Sequence, residues 1–315
     1  MKRFPQHNPR PSHSFPRPAA PRQDEAHTRF MRGTAVDPSP RIRLEDGSKE
    51  LTMRAMDLLC PIGMGQRGLI VAPPGSGKTT FLKHICNAVV GGGQPIKLYC
   101  LLIDERPEEV TDFARSVKGA EVRSSSCDES YEHHIETAER LMKQAFAEAG
   151  AGQNVMIVID SLTRLSRVHN AERQSSGRTL SGGVDARALE VPRRIFGAAR
   201  KIEHGGSLTM LATILIQTGS RMDDVIFEEF KGTGNMEIVL SREISGRRIF
   251  PAIDIPKSGT RKEELLLKPA ELEQVHKLRR TLGELGAVDA ARTLVEALNK
   301  FPTNKALLAA LSHIS

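Results

Sequence analysis

The stretch "GLIVAPPGSGKTTFLKHI", residues 68–85, decides how this chain folds. Its first part, Gly68–Ala72, is an apolar run of strand length, and Lys78–Val90 carries apolar residues at helical spacing. Between them lies a Pro/Gly turn, "PPGSG", residues 73–77. A strand, a Gly-rich turn and a helix opening on Lys-Thr form a cradle for phosphate. The backbone N–H groups of the turn point inward, and the helix N-terminus adds its positive dipole. Lys78 is placed to reach the outer phosphates of a nucleotide, and the Thr79 hydroxyl to ligate Mg²⁺. Pro74, Gly75, Ser76, Gly77, Lys78, Thr79 and Thr80 are therefore the candidate nucleotide contacts. Ala72 stands where the general pattern has its first Gly, so the loop begins rigidly on Pro73-Pro74.

Working outward, further apolar runs at Ile96–Asp104, Val155–Asp160, Leu208–Gln217 and Met236–Ser241 read as strands. They are continuous rather than alternating, which is the signature of a parallel sheet buried on both faces. Pro107–Val117, Tyr131–Ala149 and Asp185–His204 read as helices, the last with Pro192 as a possible kink. Strand–helix alternation implies an α/β fold with right-handed crossovers and a mostly parallel sheet. From Glu263 to Ser315 the chain is Leu/Ala-rich with helical spacing, a small α-helical C-terminal piece.

Two strand ends carry acids. "VMIVIDSLTRL", residues 155–165, ends its run on Asp160, a candidate Mg²⁺-holding carboxylate. "CLLIDERPEEV", residues 100–110, ends on Asp104-Glu105, and strand ends of an open α/β sheet gather at the edge where ligands bind. Glu105 is the candidate general base for a water; Glu108 and Glu109 fit a helix N-terminus equally well.

Composition bounds the rest. The 315 residues are 39% hydrophobic with 26 Gly, enough for a real core, and only 4% aromatic with no Trp, so base-stacking platforms are few. No apolar run has membrane-spanning length and no secretory pattern follows Met1, so a cytoplasmic chain without membrane contact is expected. Cys60, Cys86, Cys100 and Cys127 form no CxxC and read as reduced thiols. Cys127, His133 and His134 are a weak zinc candidate, because adjacent helical residues point apart. Residues 1–40 hold seven Lys/Arg against three Asp/Glu, most of the net charge of +7, and eight of the 18 Pro. Such a segment favours polyanions and resists helix, so residues 1–45 are expected to be a disordered basic tail, with 46–315 as the folded domain.

Taken together, "PIGMGQRGLIVAPPGSGKT" (61–79), "LLIDERPEEVTDFARSVKGAEV" (101–122), "DSLTRLSR" (160–167), "SSGRTLSGGVDARAL" (175–189), "FGAARKIEHGGSLTMLAT" (196–213), "EEFKGTGNMEIVLSREISGRRIFPAIDI" (228–255) and "SGTRKEELL" (258–266) resemble the Rho family of transcription termination factors. These are ring-forming, RecA-like RNA translocases. The resemblance runs from about Arg41 to about Leu267 and implies a RecA-like P-loop NTPase core, a homohexamer, ATP and Mg²⁺ between neighbouring subunits, and single-stranded RNA in the pore, with RNA polymerase as a partner. It implies Lys78, Thr79 and Asp160 on phosphates and Mg²⁺, Glu105 on water and Phe250 on adenine. From the neighbouring subunit it implies Arg261 as arginine finger and Arg248 as a second interface arginine. Two loops would face the strand, one with Arg178, Thr179 and Gly182, the other, "IQTGSRMDD" (216–224), with Thr218, Gly219 and Arg221.

Four departures from the family pattern stand out: no N-terminal RNA-binding domain, Gly75 where a basic residue is common, Thr80 where a larger apolar residue is common, and Gln217 and Arg221 in place of an acid and a Lys. None removes a reacting group. Two other readings follow: a degenerate paralogue that binds RNA or joins a ring as a regulator, and a rotary or export ATPase subunit sharing the core fold. The blocks "SSGRTLSGG" and "GTGNMEIVLSR" favour the RNA translocase.

Overall fold

The apolar runs lie side by side in one sheet. A computed structural model describes residues 23–173, 183–185 and 187–312. In chain order the elements are α1 (Gln23–Arg32), β1 (Ala35–Val36), β2 (Arg41–Ile42), α2 (Leu51–Leu59), β3 (Ile62–Gly63), β4 (Arg67–Ala72), α3 (Lys78–Gly91) and β5 (Ile96–Glu105). Then come α4 (Pro107–Ser116), β6 (Glu121–Ser126), α5 (Tyr131–Gly150), β7 (Asn154–Asp160), α6 (Leu162–Arg173), α7 (Glu190–Gly197), β8 (Arg200–Ile202) and β9 (Ser207–Leu215). The chain closes with α8 (Arg221–Phe230), β10 (Met236–Val239), α9 (Arg242–Gly246), β11 (Gly259–Thr260), α10 (Pro269–Gly283), α11 (Ala287–Lys300) and α12 (Asn304–Ser312).

The main sheet runs β11-β10-β4-β9-β7-β5-β6. Its six strands from β10 to β6 are parallel; β11 and β8 join antiparallel, on β10 and β9. Along β5, Leu98, Cys100 and Leu102 enter the core under α2, α3 and the C-terminal helices, while Tyr99, Leu101 and Ile103 enter the core under α5 and α6. Burial on both faces is why the run reads as continuously apolar. The fold is thus α/β, with a mostly parallel sheet and α10–α12 as the helical C-terminal piece.

Two expectations are corrected. Residues 23–45 are not part of a disordered tail. Helix α1 buries Ala26 and Phe30, Ile42 and Leu44 enter the core, and the Asp57 carboxylate accepts the Leu44 and Glu45 N–H groups at 3.1 and 2.9 Å. A few apolar residues suffice when α5 offers a prepared surface, and Phe146 takes His27 in a stack at 4.8 Å. The helix expected at Asp185–His204 is α7 followed by β8, which pairs Arg200 with Leu208 and Lys201 with Ser207. Ile195, Ala199 and Ile202 imitate helical spacing, but the turn through His204 (φ 54°) and Gly205-Gly206 folds the chain back. A Cβ at Gly206 would meet Ala149 O at 2.3 Å, so only glycine fits there. Pro192 lies in the first turn of α7, where no N–H is needed. Strand β6 has no apolar signal in the sequence: "EVRSSS" is a half-exposed edge strand with little to bury, and its pairing with β5 defines it.

Candidate functional site

At the carboxyl end of β4 the chain enters the loop that the sequence marked out. Gly75 and Gly77 adopt φ of 76° and 88°. A Cβ at Gly75 would meet nothing within 4 Å, so conformation rather than space demands glycine there. Ser76 closes the turn, its N–H and Oγ both on Pro73 O, and Gly77 caps α3.

Lys78, at the first position of α3, crosses to the ends of two other strands. Its Nζ bonds Glu105 Oε1 at 3.3 Å and Asp160 Oδ1. Both acids are almost fully buried, at 3% and 2% exposure. Thr213 of β9 donates to Asp160 Oδ1 at 2.7 Å, fixing the carboxylate from the strand between β4 and β7. Arg164 of α6 reaches Glu105 Oε2 at 3.2 Å and lies 3.9 Å from Asp104 Oδ2.

A bulge sets the direction of Glu105. The register between β5 and β6 shifts at Asp104, which takes a left-handed φ of 57°. Simple alternation would leave Glu105 on the face of Ile103, away from α3; the extra residue re-aims it toward Lys78. Burial is the chief cause that pushes the Glu105 carboxyl up to about 7; the Asp160 charge adds to it, and Lys78 and Arg164 oppose it. A carboxyl held near neutrality beside a phosphate loop is suited to exchanging a proton with a water.

Beside the loop, the Phe250 ring is half exposed and comes within 3.7 Å of where a Gly77 Cβ would sit. Arg248 (φ 59°) shares a hollow of about 340 Å³ with Pro74 and Gly75, and Ser245 Oγ donates to Gly75 O at 3.4 Å. The structure thus brings Arg248 to its own chain's loop, whereas the resemblance implies a part at a neighbour's nucleotide. Arg261 is elsewhere. Its N–H bonds Asn235 O, just past β11, whose Thr260 pairs with Met236, itself level with Gly68 at the start of β4. It therefore lies at the amino end of the sheet, opposite the phosphate loop.

Thr218 and Gly219 leave β9 at the carboxyl edge, between the loop strand and the Asp160 strand. Arg221 opens α8, and Thr218 Oγ1 donates to Asp223 Oδ2 at 2.6 Å. Fully buried Asp223 also takes Arg167 of α6 in a two-point pair at 2.8 and 2.6 Å. Arg178, Thr179 and Gly182 lie outside the described residues.

Sequence reading missed Arg164, Thr213 and the Arg167–Asp223 pair. Signals existed: Arg164 follows Asp160 by one helical turn, and Thr213 is a polar residue inside an apolar run. Of the weak zinc trio, His134 Nδ1 meets Ser125 Oγ at 2.6 Å and His133 Nε2 meets Glu129 at 2.6 Å, while Cys127 is exposed; among the described residues no group of three such side chains is placed to hold a metal ion. Among the described residues, no helix is long and apolar enough to cross a membrane.

Fold and site together define a P-loop ATPase domain. The chain belongs to the ATP synthase alpha/beta family, whose nucleotide-binding domain matches residues 52–260. Its curated relatives are transcription termination factors Rho. That of Streptobacillus moniliformis is 51% identical over 269 residues, covering 85% of this chain and 65% of the relative. That of Streptomyces coelicolor is 53% identical over 275 residues (87% and 66%), and that of Aquifex aeolicus 50% over 284 (90% and 65%). The chain therefore spans about 65% of the length of these relatives. Among solved structures, a prototypical ATPase from the type III secretion system of pathogenic bacteria superposes with a TM-score of 0.71 at 24% identity, covering 88% of this chain and 85% of that one. The assembled ATPase EscN of enteropathogenic E. coli with its central stalk EscO gives 0.63 at 26% identity, covering 80% and 59%.

Proposed function

We infer that this chain hydrolyses ATP in a ring of identical copies and uses the energy to move along single-stranded RNA, releasing transcripts from RNA polymerase as the names of its Rho relatives suggest. The observation that carries the reading is a separation. Lys78, Glu105 and Asp160 meet at the carboxyl edge, while Arg261 stands at the amino edge of the same chain. Strand β4 rises about 3.3 Å per residue, so its two ends are on the order of 17 Å apart. Arg261 can then act only on a nucleotide held by a second copy.

Thr79 and Asp160 offer hard oxygen donors that fit Mg²⁺. The cation would offset charge on the transferred phosphoryl group. Without nucleotide, Lys78 neutralises Asp160 and Glu105; a triphosphate tail offers it a stronger partner. Glu105, freed from Lys78 and steadied by Arg164, orients a water and takes its proton at Oε1. Phe250 gives the base an apolar face, and Arg248 lies close enough to its own loop to meet the phosphates. Arg221 and Thr218, with Arg178, Thr179 and Gly182, would contact RNA. The Thr218–Asp223–Arg167 chain supports coupling between the RNA loop and the helix that follows Asp160.

The test is ATPase rate against added single-stranded RNA, with particle mass measured in the same buffer. The expected result is RNA-stimulated turnover by a hexamer. A chain that stays monomeric with nucleotide and RNA together, and consumes no ATP, overturns the reading. Turnover stimulated by a protein stalk but not by RNA would instead favour an export-type ATPase.

A further inference from the structure

The amino edge of the sheet holds a second concentration of positive charge that the ATP reading leaves unused. A hollow of about 470 Å³ opens there between the segment Ala35–Pro38 and the starts of β4 and β8. Arg67 and Arg200 both line it, with Asn235 and Asp37. The arginines are held by backbone carbonyls and one ring face: Arg67 Nε on Thr233 O at 3.2 Å and Nη1 on Ala199 O at 3.0 Å, Arg200 Nε on Ala198 O at 3.0 Å with its guanidinium over the Phe30 ring, 6.0 Å from the centroid. The one acid in the lining, Asp37, is engaged by Lys262 at 2.9 and 3.0 Å. Among the described residues, neither guanidinium has a carboxylate partner. Arg67 is half-buried, and its pKa is lowered first by that burial and then by the charge of Arg200. Asn235 spends its Oδ1 on Gln66 Nε2 and the Arg67 N–H, which leaves its amide N–H groups as further donors.

Two like charges held together beside a hollow, with neutral carbonyls and an aromatic face but no anion as partners, cost free energy unless an anion joins them. Arginine forks match tetrahedral oxyanions in two-point geometry. We propose that Arg67, Arg200 and Asn235 form a binding site for a compact phosphate-type oxyanion, separate from the phosphate loop at the other end of β4. The phosphate group can belong to a free ion or to the backbone of a polynucleotide. The site adjoins the Arg261 anchor, since Asn235 O accepts the Arg261 N–H.

The test uses the full chain carrying Lys78→Ala, which removes the cation of the phosphate loop. Its melting temperature is measured in chloride, in inorganic phosphate, in pyrophosphate and with a single-stranded RNA oligomer, all at one ionic strength. A rise of roughly 2–4 °C in phosphate or pyrophosphate is expected, and adding Arg200→Gln should abolish it. Adding Arg200→Lys instead keeps the charge without the fork and should retain only part of the rise. It serves as the second variant if the Gln form does not fold. Arg200→Gln loses a like-charge contact but also the bond to Ala198 O and the packing on Phe30, so each form's rise is read against its own melting temperature in chloride. A rise with RNA alone that Arg200→Gln removes supports the site and assigns the phosphate to a polynucleotide. No rise with any probe, or a rise that Arg200→Gln leaves intact, overturns it. So does a lower particle mass in Arg200→Gln without any phosphate effect, which would mean that the arginines meet a carboxylate of a second copy.

Discussion

The two edges of one sheet differ in how their charges are met. At the carboxyl edge, Lys78 and Arg164 face Glu105, Asp160 and Asp104, so cations and anions answer one another within the chain. At the amino edge, Arg67 and Arg200 find carbonyl oxygens and the Phe30 ring, and exposed Arg261 has, among the described residues, only the half-buried Glu237 near it. A balanced cluster can rest without its ligand; an unbalanced one looks outward for its counter-charge. On the proposed reading, catalysis is prepared at one edge and completed by what docks at the other.

The largest expected effect comes from removing the cation that balances the first edge. Lys78→Ala should abolish measurable ATP turnover, read in a steady-state assay, and it leaves two buried acids without their shared partner. Normal turnover would break the assignment of the loop. Next, Arg261→Ala should lower kcat by roughly 10³-fold or more while nucleotide affinity, measured by titration, changes little. Mixing the Lys78→Ala and Arg261→Ala chains sharpens the comparison. If each edge serves a different copy, some mixed interfaces carry both groups, and part of the activity returns. Failure of any rescue in verified mixed rings would favour action within one chain.

Arg164→Ala should cost less, roughly 10–100-fold in kcat, because it positions Glu105 without meeting the phosphates itself. A basic shift in the pH profile of kcat/KM separates this from a general loss of structure, since a cation that lowers the Glu105 pKa is gone. The smallest effect concerns stability. The Glu105 carboxyl is raised from 4.5 to about 7 in the fold. Between those values the folded chain keeps a proton that the unfolded chain gives up, so stability falls as pH rises through this window. Glu105→Gln should flatten that slope in nucleotide-free melts. An unchanged slope would show that Glu105 is not the group responsible.

Much of the carboxyl edge was legible in advance because its signals are local. A Gly-rich turn between an apolar run and a helix, and an acid ending an apolar run, are short patterns with direct chemical meaning. Arg164 and Thr213 were not legible as partners, because their contacts cross between elements. The helix expected over Asp185–His204 failed for a related reason: its apolar spacing suits either a helix or a helix and a strand, and β9 decides between them. The order of residues 23–45 is not legible in the sequence, because α5 supplies the surface that α1 cannot supply for itself.

The order of apolar runs and turns determined an α/β chain with a phosphate loop at the end of one buried strand, because burial on both faces and the φ demanded of Gly75 and Gly77 are written residue by residue. Strand order, the bulge at Asp104 that turns Glu105 to Lys78, and the meeting of Arg67 and Arg200 at the opposite edge, where Arg261 also lies, were decided only by the tertiary structure. The reason is physical: a charge takes its meaning from the groups that share its desolvated space, and those groups are brought together by packing across the sheet rather than by nearness along the chain.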